Sequence, residues 1–364
     1  MSSIYQGNLK ITIFGESHSK AIGVVIDGLK AGLTIDFKKI AFELTKRRSY
    51  REISTSRKES DDLQIISGYY QERTTGTPLT ILVANQDTDS TKYELNKDFL
   101  RPSHADYSAE LKYHGFQDYR GGGHFSGRLT VGIVIAGAIC EQILAKKQIK
   151  IGTHIKRLYG IEDEPIDFSN IEGTIDDLNQ KMFAIISPEK EKKMREAIQK
   201  ASKTKDSLGG ILETIVIGDI KGLGEPFFNS FESVVSSLIF SIPGVKGIEF
   251  GLGFGFCDHL GSEVNDAFFF DGTVKTKTNN NGGINGGITN GMPIMIKTVI
   301  KPTPSIGLPQ ETINLRTSEN VIHQFDGRFD PCIVHRARTV IDCMVAIALV
   351  DLIMAQKANE WMEL

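Results

Sequence analysis

The sequence predicts an α+β chain, and three observations carry that expectation. Residues 9–15, Leu-Lys-Ile-Thr-Ile-Phe-Gly, alternate with the period of a strand. Residues 129–147 are apolar nearly all round, as a buried helix would be, and a second long apolar helix is expected over residues 340–354. Between them, residues 210–217, 247–254 and 292–300 read as strands, with a helix over 231–240 closed by the turn Ser241-Ile-Pro-Gly-Val245.

A chain of 364 residues with 40% hydrophobic content can bury a large core, as one domain or two. Its net charge of −3 gives no general attraction to nucleic acid or to an acidic membrane, so anion handling must be local. Cys140, Cys257, Cys332 and Cys343 have no CxxC spacing and read as reduced core residues, and no metal site is expected. The first residues lack the basic and apolar regions of a leader, and no apolar run is expected to reach the length of a membrane span. A soluble, cytoplasmic protein is the simplest expectation.

Along the chain, a second short strand is expected over residues 22–26. Asp36 can cap a helix through Phe37, Ile40, Ala41 and Leu44 that ends in Lys46, Arg47 and Arg48. Arg51, Arg57 and Lys58 follow. A solvated cationic face is the default reading of this run, and a basic loop over an acidic ligand is the alternative. Residues 63–70 and 77–85 read as strands. Residues 188–205 read as an exposed amphipathic helix with Met194, Ile198 and Ala201 inward, and the span 151–207 otherwise carries little chemistry.

The stretch from His114 to Arg128 carries the strongest local signal. Arg120 and three consecutive glycines lead through Ser126 and Arg128 into the first apolar helix. A glycine-rich loop feeding a helix N-terminus offers bare N–H groups and the positive end of the helix dipole, which suits a phosphate or carboxylate. Other candidates are weaker alone. His18 ends the first strand but is more often a satisfied turn residue; His104, in Arg101-Pro-Ser-His-Ala-Asp106, could equally cap or pack. The glycine-rich residues 279–291 default to a flexible surface loop. Lys301-Pro-Thr-Pro-Ser305 suits an anion, and Arg328 with Asp330 is by default a surface ion pair.

Taken as a set, these motifs resemble the chorismate synthase family: Gly-Glu-Ser-His18, Arg-Pro-Ser-His-Ala-Asp106, Asp-Tyr-Arg-Gly-Gly-Gly123, Gly-Gly-Ile-Asn-Gly-Gly-Ile288, Lys-Pro-Thr-Pro-Ser305 and Gly-Arg-Phe-Asp-Pro-Cys332 stand in the family's order and spacing. The resemblance implies a single domain over residues 1–364, a β-α-β sandwich whose internal helices are covered by antiparallel sheets, and a homotetramer. It implies conversion of 5-enolpyruvylshikimate 3-phosphate to chorismate by anti 1,4-elimination of phosphate, with reduced FMN required and no net redox change. NADPH is the candidate reductant if the enzyme reduces its own flavin. Carried over residue by residue, it gives His18, His104 and Asp330 catalytic roles. Substrate binding falls to Arg47, Arg101, Ser126, Arg128 and Arg328. FMN contacts fall to His124, Phe125, Ser126, Pro243, Gly244, Gly286, Lys301, Pro302, Thr303, Pro304, Ser305 and Arg328.

The chain departs from the family's pattern at four places. Ser19 replaces a glycine beside His18, and His124 and Phe125 replace an arginine and a serine. The basic loop after Arg48 is about one residue short, and Phe329 replaces a histidine. Weaker FMN affinity or an altered flavin-phosphate contact is expected. Two rival classes remain: a non-catalytic paralogue that binds flavin or phosphate, and a nucleic-acid binder using residues 46–58. The acidic net charge and the lack of interleaved aromatics weigh against the second.

Overall fold

The computed structural model describes residues 3–50, 53–54, 60–86, 91–358 and 360–362. Near the N-terminus the chain forms β1 (Ile4–Gln6), β2 (Lys10–Gly15) and β3 (Ala21–Asp27), then helix α1 (Phe37–Arg47). Asp36 caps α1 by accepting from the amides of Lys38 and Lys39. β4 (Leu63–Ser67), the small hairpin β5 (Tyr69–Tyr70) and β6 (Arg73–Thr74), and β7 (Leu79–Ala84) follow. Gly68, at φ +79°, breaks the strand read over 63–70 into two. β1, β2, β3, β7 and β4 pair in that order, antiparallel throughout, as the first sheet. Alternation along it is clean: Ile22, Val24, Ile26, Leu79, Ile81 and Val83 point inward and are buried.

Two short helices, α2 (Thr91–Asn96) and α3 (Asp106–Tyr113), lead to the glycine loop and to α4 (Thr130–Ala145). The second sheet takes β8 (Lys150–Leu158), β9 (Ile161–Glu162), β10 (Gly210–Ile217), β11 (Val245–Phe250) and, later in the chain, a strand over Ile294–Ile300. Its order is β11, Ile294–Ile300, β10, β8, β9, again antiparallel. Helices α5 (Ile171–Gln180), α6 (Pro188–Lys203) and α7 (Phe231–Phe240) lie between its strands in sequence. The short α8 (Gly261–Val264) follows, and α9 (Val334–Lys357) closes the chain.

The two sheets enclose the helices α4 and α9. Gly132 of α4 faces Ile13 and Val24 of the first sheet. On the other side, Thr153 of β8 donates to Asp342 of α9 at 2.6 Å and shares a 2.6 Å hydrogen bond with Thr214 of β10. Between the helices, Gly137 lies so close to Cys343 that an added Cβ would overlap that residue's Cα and Cβ. The expected β-α-β sandwich is therefore present, and one continuous cluster of buried residues runs through its layers.

Several expectations need correction. Two helices do reach membrane-span length and apolarity, Gly127–Ala145 and Val334–Lys357. Each is 78% buried inside the protein, because each packs between a sheet and the other helix. The end of α1 is no solvated face: Lys46 and Arg47 are 4% and 5% exposed. Arg51, Arg57 and Lys58 lie outside the described residues. β8 and α5 went unread, because β8 is buried on both faces and shows no alternation. α9 begins six residues before the expected 340, and the hairpins Phe268–Asp271 with Thr273–Thr276 and Pro309–Asn314 with Glu319–Gln324 carry too little periodicity to be read. Cys140, Cys332 and Cys343 are buried and reduced, whereas Cys257 is exposed.

His154 of β8 is buried between two carboxylates, Asp163 at 2.8 Å and Glu213 at 3.0 Å. Burial alone would lower its pKa, but hydrogen bonds and charge from Asp163 and Glu213 raise it, and the two acids are lowered in turn despite their burial. A raised histidine stabilises fully below its unfolded pKa of about 6.5 and loses that contribution as pH rises through the folded value. The lowered acids stabilise above their unfolded pKa values of about 4 and lose that contribution as pH falls through the folded ones. The melting-temperature difference between wild type and His154→Gln should thus be largest near pH 5–6 and shrink as pH rises; a pH-independent difference would contradict this ion triad. Gly137→Ala should lower stability by about 1–3 kcal/mol in urea denaturation, because the helix pair must separate.

Candidate active site

The site is built around the glycine loop, a 3₁₀ segment over Arg120–Phe125 in which Gly121, Gly122 and Gly123 all have positive φ, at 61°, 83° and 53°. Its close approaches require glycine. A Cβ on Gly121 would lie 2.5 Å from the His18 ring and 2.6 Å from Ser17 Oγ, and one on Gly122 would lie 3.5 Å from His104 Nε2. Two histidines 86 residues apart are thus brought to adjacent glycines. The loop does not run straight into α4: Ser126 caps a separate turn, Gly127–Leu129, by accepting from the Arg128 amide. The glycines serve close approach to the histidine-bearing segments, which differs from the naked helix terminus expected.

His18 sits in the turn after β2. The Ser17 amide donates to Gly123 O at 3.1 Å, fastening that turn to the loop, and the Tyr93 ring meets the His18 ring edge-on at 5.2 Å. Ser19 acts as a staple in this turn. Its Oγ accepts from the Glu16 amide at 3.0 Å and donates to Ala21 O at 2.8 Å. His124 closes the same region, with Nδ1 donating to Gly15 O at 2.9 Å and Nε2 paired with Ser3 Oγ at 2.8 Å. The carbonyl fixes the proton on Nδ1.

His104 lies just before α3, not within it. Its Nδ1 is 2.7 Å from Asp106 Oδ1, and Asp106 also takes Arg101 through Nε at 2.8 Å and Nη2 at 2.7 Å. Burial lowers the His104 pKa below its ordinary value, with Arg101 and Lys301 adding to that against Asp106. The neutral ring then carries its proton on Nδ1 and presents the Nε2 lone pair toward Gly122. Lys301 donates from Nζ to Ser103 O at 2.6 Å, and its amide pairs with Gly244 O at 2.9 Å. Ser207 Oγ donates to Thr303 O at 2.7 Å, and the Leu208 amide to Pro331 O at 2.8 Å, so residues 301–305 and 330–332 flank one segment. A cleft beside His104 is lined by Arg101, Tyr119, Phe125, Phe325 and Phe329.

The arginines converge on one carboxylate that the sequence reading missed. Asp61, with no exposed side-chain surface, pairs with Arg128 and with Arg47 at 3.3 Å and Arg48 at 3.1 Å. Burial would raise its pKa, but Arg47 and Arg128 and the hydrogen bonds from Arg128 and Arg48 hold it below the usual carboxylate range. Burial pushes the Arg47 guanidinium down to about 10 against the pull of Asp61. Arg336 extends the network, donating to Arg47 O at 2.7 Å and pairing with Asp330. Arg336, in the first turn of α9, is thus a partner of Asp330 that the sequence reading did not name. Ile53 is buried and Ser54 Oγ lies 2.9 Å from His335 Nε2, which anchors the middle of the basic loop.

Gly286 belongs to a separate hairpin of the chain. It lies in the tight hairpin Ile284–Asn285 with Ile288–Thr289, and Gly287 O accepts from Phe231 at the start of α7. The loop over 279–291 is not slack: Asp266 accepts from the amides of Asn280 and Asn281, both at 2.8 Å.

Comparison with known proteins agrees with this architecture. A family model described as chorismate synthase matches residues 9–354. The chorismate synthase of Thermococcus gammatolerans is 44% identical, covering 97% of this chain and 98% of its own. That of Pyrococcus abyssi is 45% identical with 97% and 98% covered, and that of Methanococcus vannielii 42% with 98% and 97%. A crystal structure of a chorismate synthase superposes with a TM-score of 0.75 at 26% identity, over 96% of this chain and 92% of the other. With a superposable fold and matches across nearly its whole length, the chain belongs to the chorismate synthase family.

Proposed function

We propose that this protein is a lyase that eliminates phosphate from 5-enolpyruvylshikimate 3-phosphate, in the anti 1,4 sense, to give chorismate at the end of the shikimate pathway. The observation that carries this reading is the placement of His18 and His104 on adjacent glycines beside arginines gathered on Asp61. The substrate brings two carboxylates and a phosphate, roughly four negative charges. Arg47, Arg101, Arg128 and Arg328, with the Ser126 hydroxyl, are its proposed partners. Arg101 is held by Asp106 along one edge, which orients the remaining edge toward the cleft.

The bare backbone of Gly122 leaves room beside His104 Nε2, and the Lys301 ammonium stands nearby on Ser103 O. These features fit a flat, anionic reduced FMN. Phe125, Ser126, Pro243, Gly244, Arg328 and residues 301–305 would hold it. Reduced FMN, once bound, supplies transient electron density for a C–O cleavage that the weakly acidic C6 hydrogen does not favour. NADPH or an external donor would keep it reduced. His18 delivers a ring proton to the departing phosphate oxygen. His104 Nε2 would hold or move a proton beside the bound flavin ring. Asp330, paired with Arg336, would assist removal of the C6 proton.

His124 supports a second reading, a flavin- or phosphate-binding paralogue without turnover, because both its ring nitrogens are engaged by Gly15 and Ser3. In the lyase reading His124 positions the loop, and the flavin phosphate relies on the other residues. We read the chain as one cytoplasmic domain that assembles as a homotetramer; Phe227, Phe228, Phe254 and Phe270, at least three-quarters exposed, offer surface that copies would cover.

An anaerobic assay with chemically reduced FMN should give chorismate and phosphate in equal amounts, with none from oxidised FMN. His18→Ala should cut kcat by about 10²–10⁴-fold with little change in KM. FMN binding without turnover by wild type would favour the paralogue.

A further inference from the structure

Asn85, the residue after β7, joins two parts of the site that no other single side chain described above joins. Its Nδ2 donates to Glu16 O at 3.0 Å and to Ser19 O at 2.8 Å, the two carbonyls that bracket Ser17 and His18. Its Oδ1 accepts from Arg128 Nε at 3.1 Å, and its amide donates to Lys20 O at 3.1 Å. The orientation of the carboxamide is fixed by its partners: carbonyl oxygens can only accept, and a guanidinium can only donate. Asparagine alone fits at this length, because an aspartate could not donate to the two carbonyls and an aliphatic residue could serve neither side. Arg128 is thereby held at two points, Nε on Asn85 and Nη1 on Asp61.

We propose that Asn85 is a positioning residue that keeps the turn carrying His18 in register with Arg128, so that the proton donor and the anion-binding guanidinium address the same bound phosphate ester. The proposal rests on the lyase reading for its kinetic consequence and on geometry alone for its structural one. Asn85→Asp keeps the acceptor for Arg128 and loses both donations to the His18 turn; Asn85→Ala loses both sides.

Under the anaerobic assay, Asn85→Asp should lower kcat about 10–100-fold with KM within about twofold of wild type, whereas Asn85→Ala should lower kcat similarly and raise KM at least about fivefold. Kinetics of folded variants within twofold of wild type, or a change in KM alone for both, would overturn the proposal. A second measurement needs no turnover: the rate of diethylpyrocarbonate modification at His18, followed by peptide mass spectrometry with buried His154 as internal control. It should rise several-fold in both variants while His154 stays protected. An unchanged His18 rate, or equal gains at His18 and His154 from general loosening, would also overturn it. Absence of turnover in wild type would count against the lyase reading, and the modification rates would still decide the role of Asn85.

Discussion

One buried carboxylate carries three guanidinium groups, and the rest of the site depends on that imbalance. Asp61 holds Arg47 and Arg128 together where water screens them little, with the more exposed Arg48 at the edge. Without it, like charges would be left buried side by side, a state that costs far more than an exposed ion pair returns. With it, the cluster keeps a net positive charge of about two, which an anionic ligand can complete. Charge is thus stored in the ligand-free protein in the form a phosphate or carboxylate would use.

The sandwich makes such an arrangement stable. Arg47 ends α1, Arg128 precedes α4, Asp330 precedes α9 and Arg336 lies in its first turn, and Asn85 and His18 follow strands of the first sheet. All these positions are element ends at one rim of a tightly packed helix layer, so small side-chain errors are not absorbed by backbone movement. Where Gly137 meets Cys343 the layer has no room for even a methyl group. The glycine loop then links that rim to His104, whose pairing with Asp106 also fixes Arg101.

Much of this was legible in the sequence, and what escaped has physical reasons. The first all-round apolar helix, the strand over 210–217, the helix over 231–240 and the Asp36 cap follow from local pattern and appear as read. The six motifs brought out the family and most of its candidate residues. Asp61 and Asn85 could not be found that way, because their partner Arg128 is 67 and 43 residues distant. At the cationic end of α1 the sequence leaves a solvated face and a basic loop over an acidic ligand both open, because Asp61, the partner of Arg47 and Arg48, lies outside the helix. His124 shows the reverse, since a departure visible in sequence acquires meaning only when Gly15 and Ser3 are seen to take both nitrogens.

The most direct test of the organising role of Asp61 is the urea stability of ligand-free Asp61→Asn, measured alone and with saturating 5-enolpyruvylshikimate 3-phosphate. The account predicts a loss of about 3–5 kcal/mol without ligand. It also predicts that the substrate restores more stability to the variant than it adds to wild type. A ligand-free variant within about 0.5 kcal/mol of wild type would show that the arginines do not depend on this carboxylate, and would contradict it.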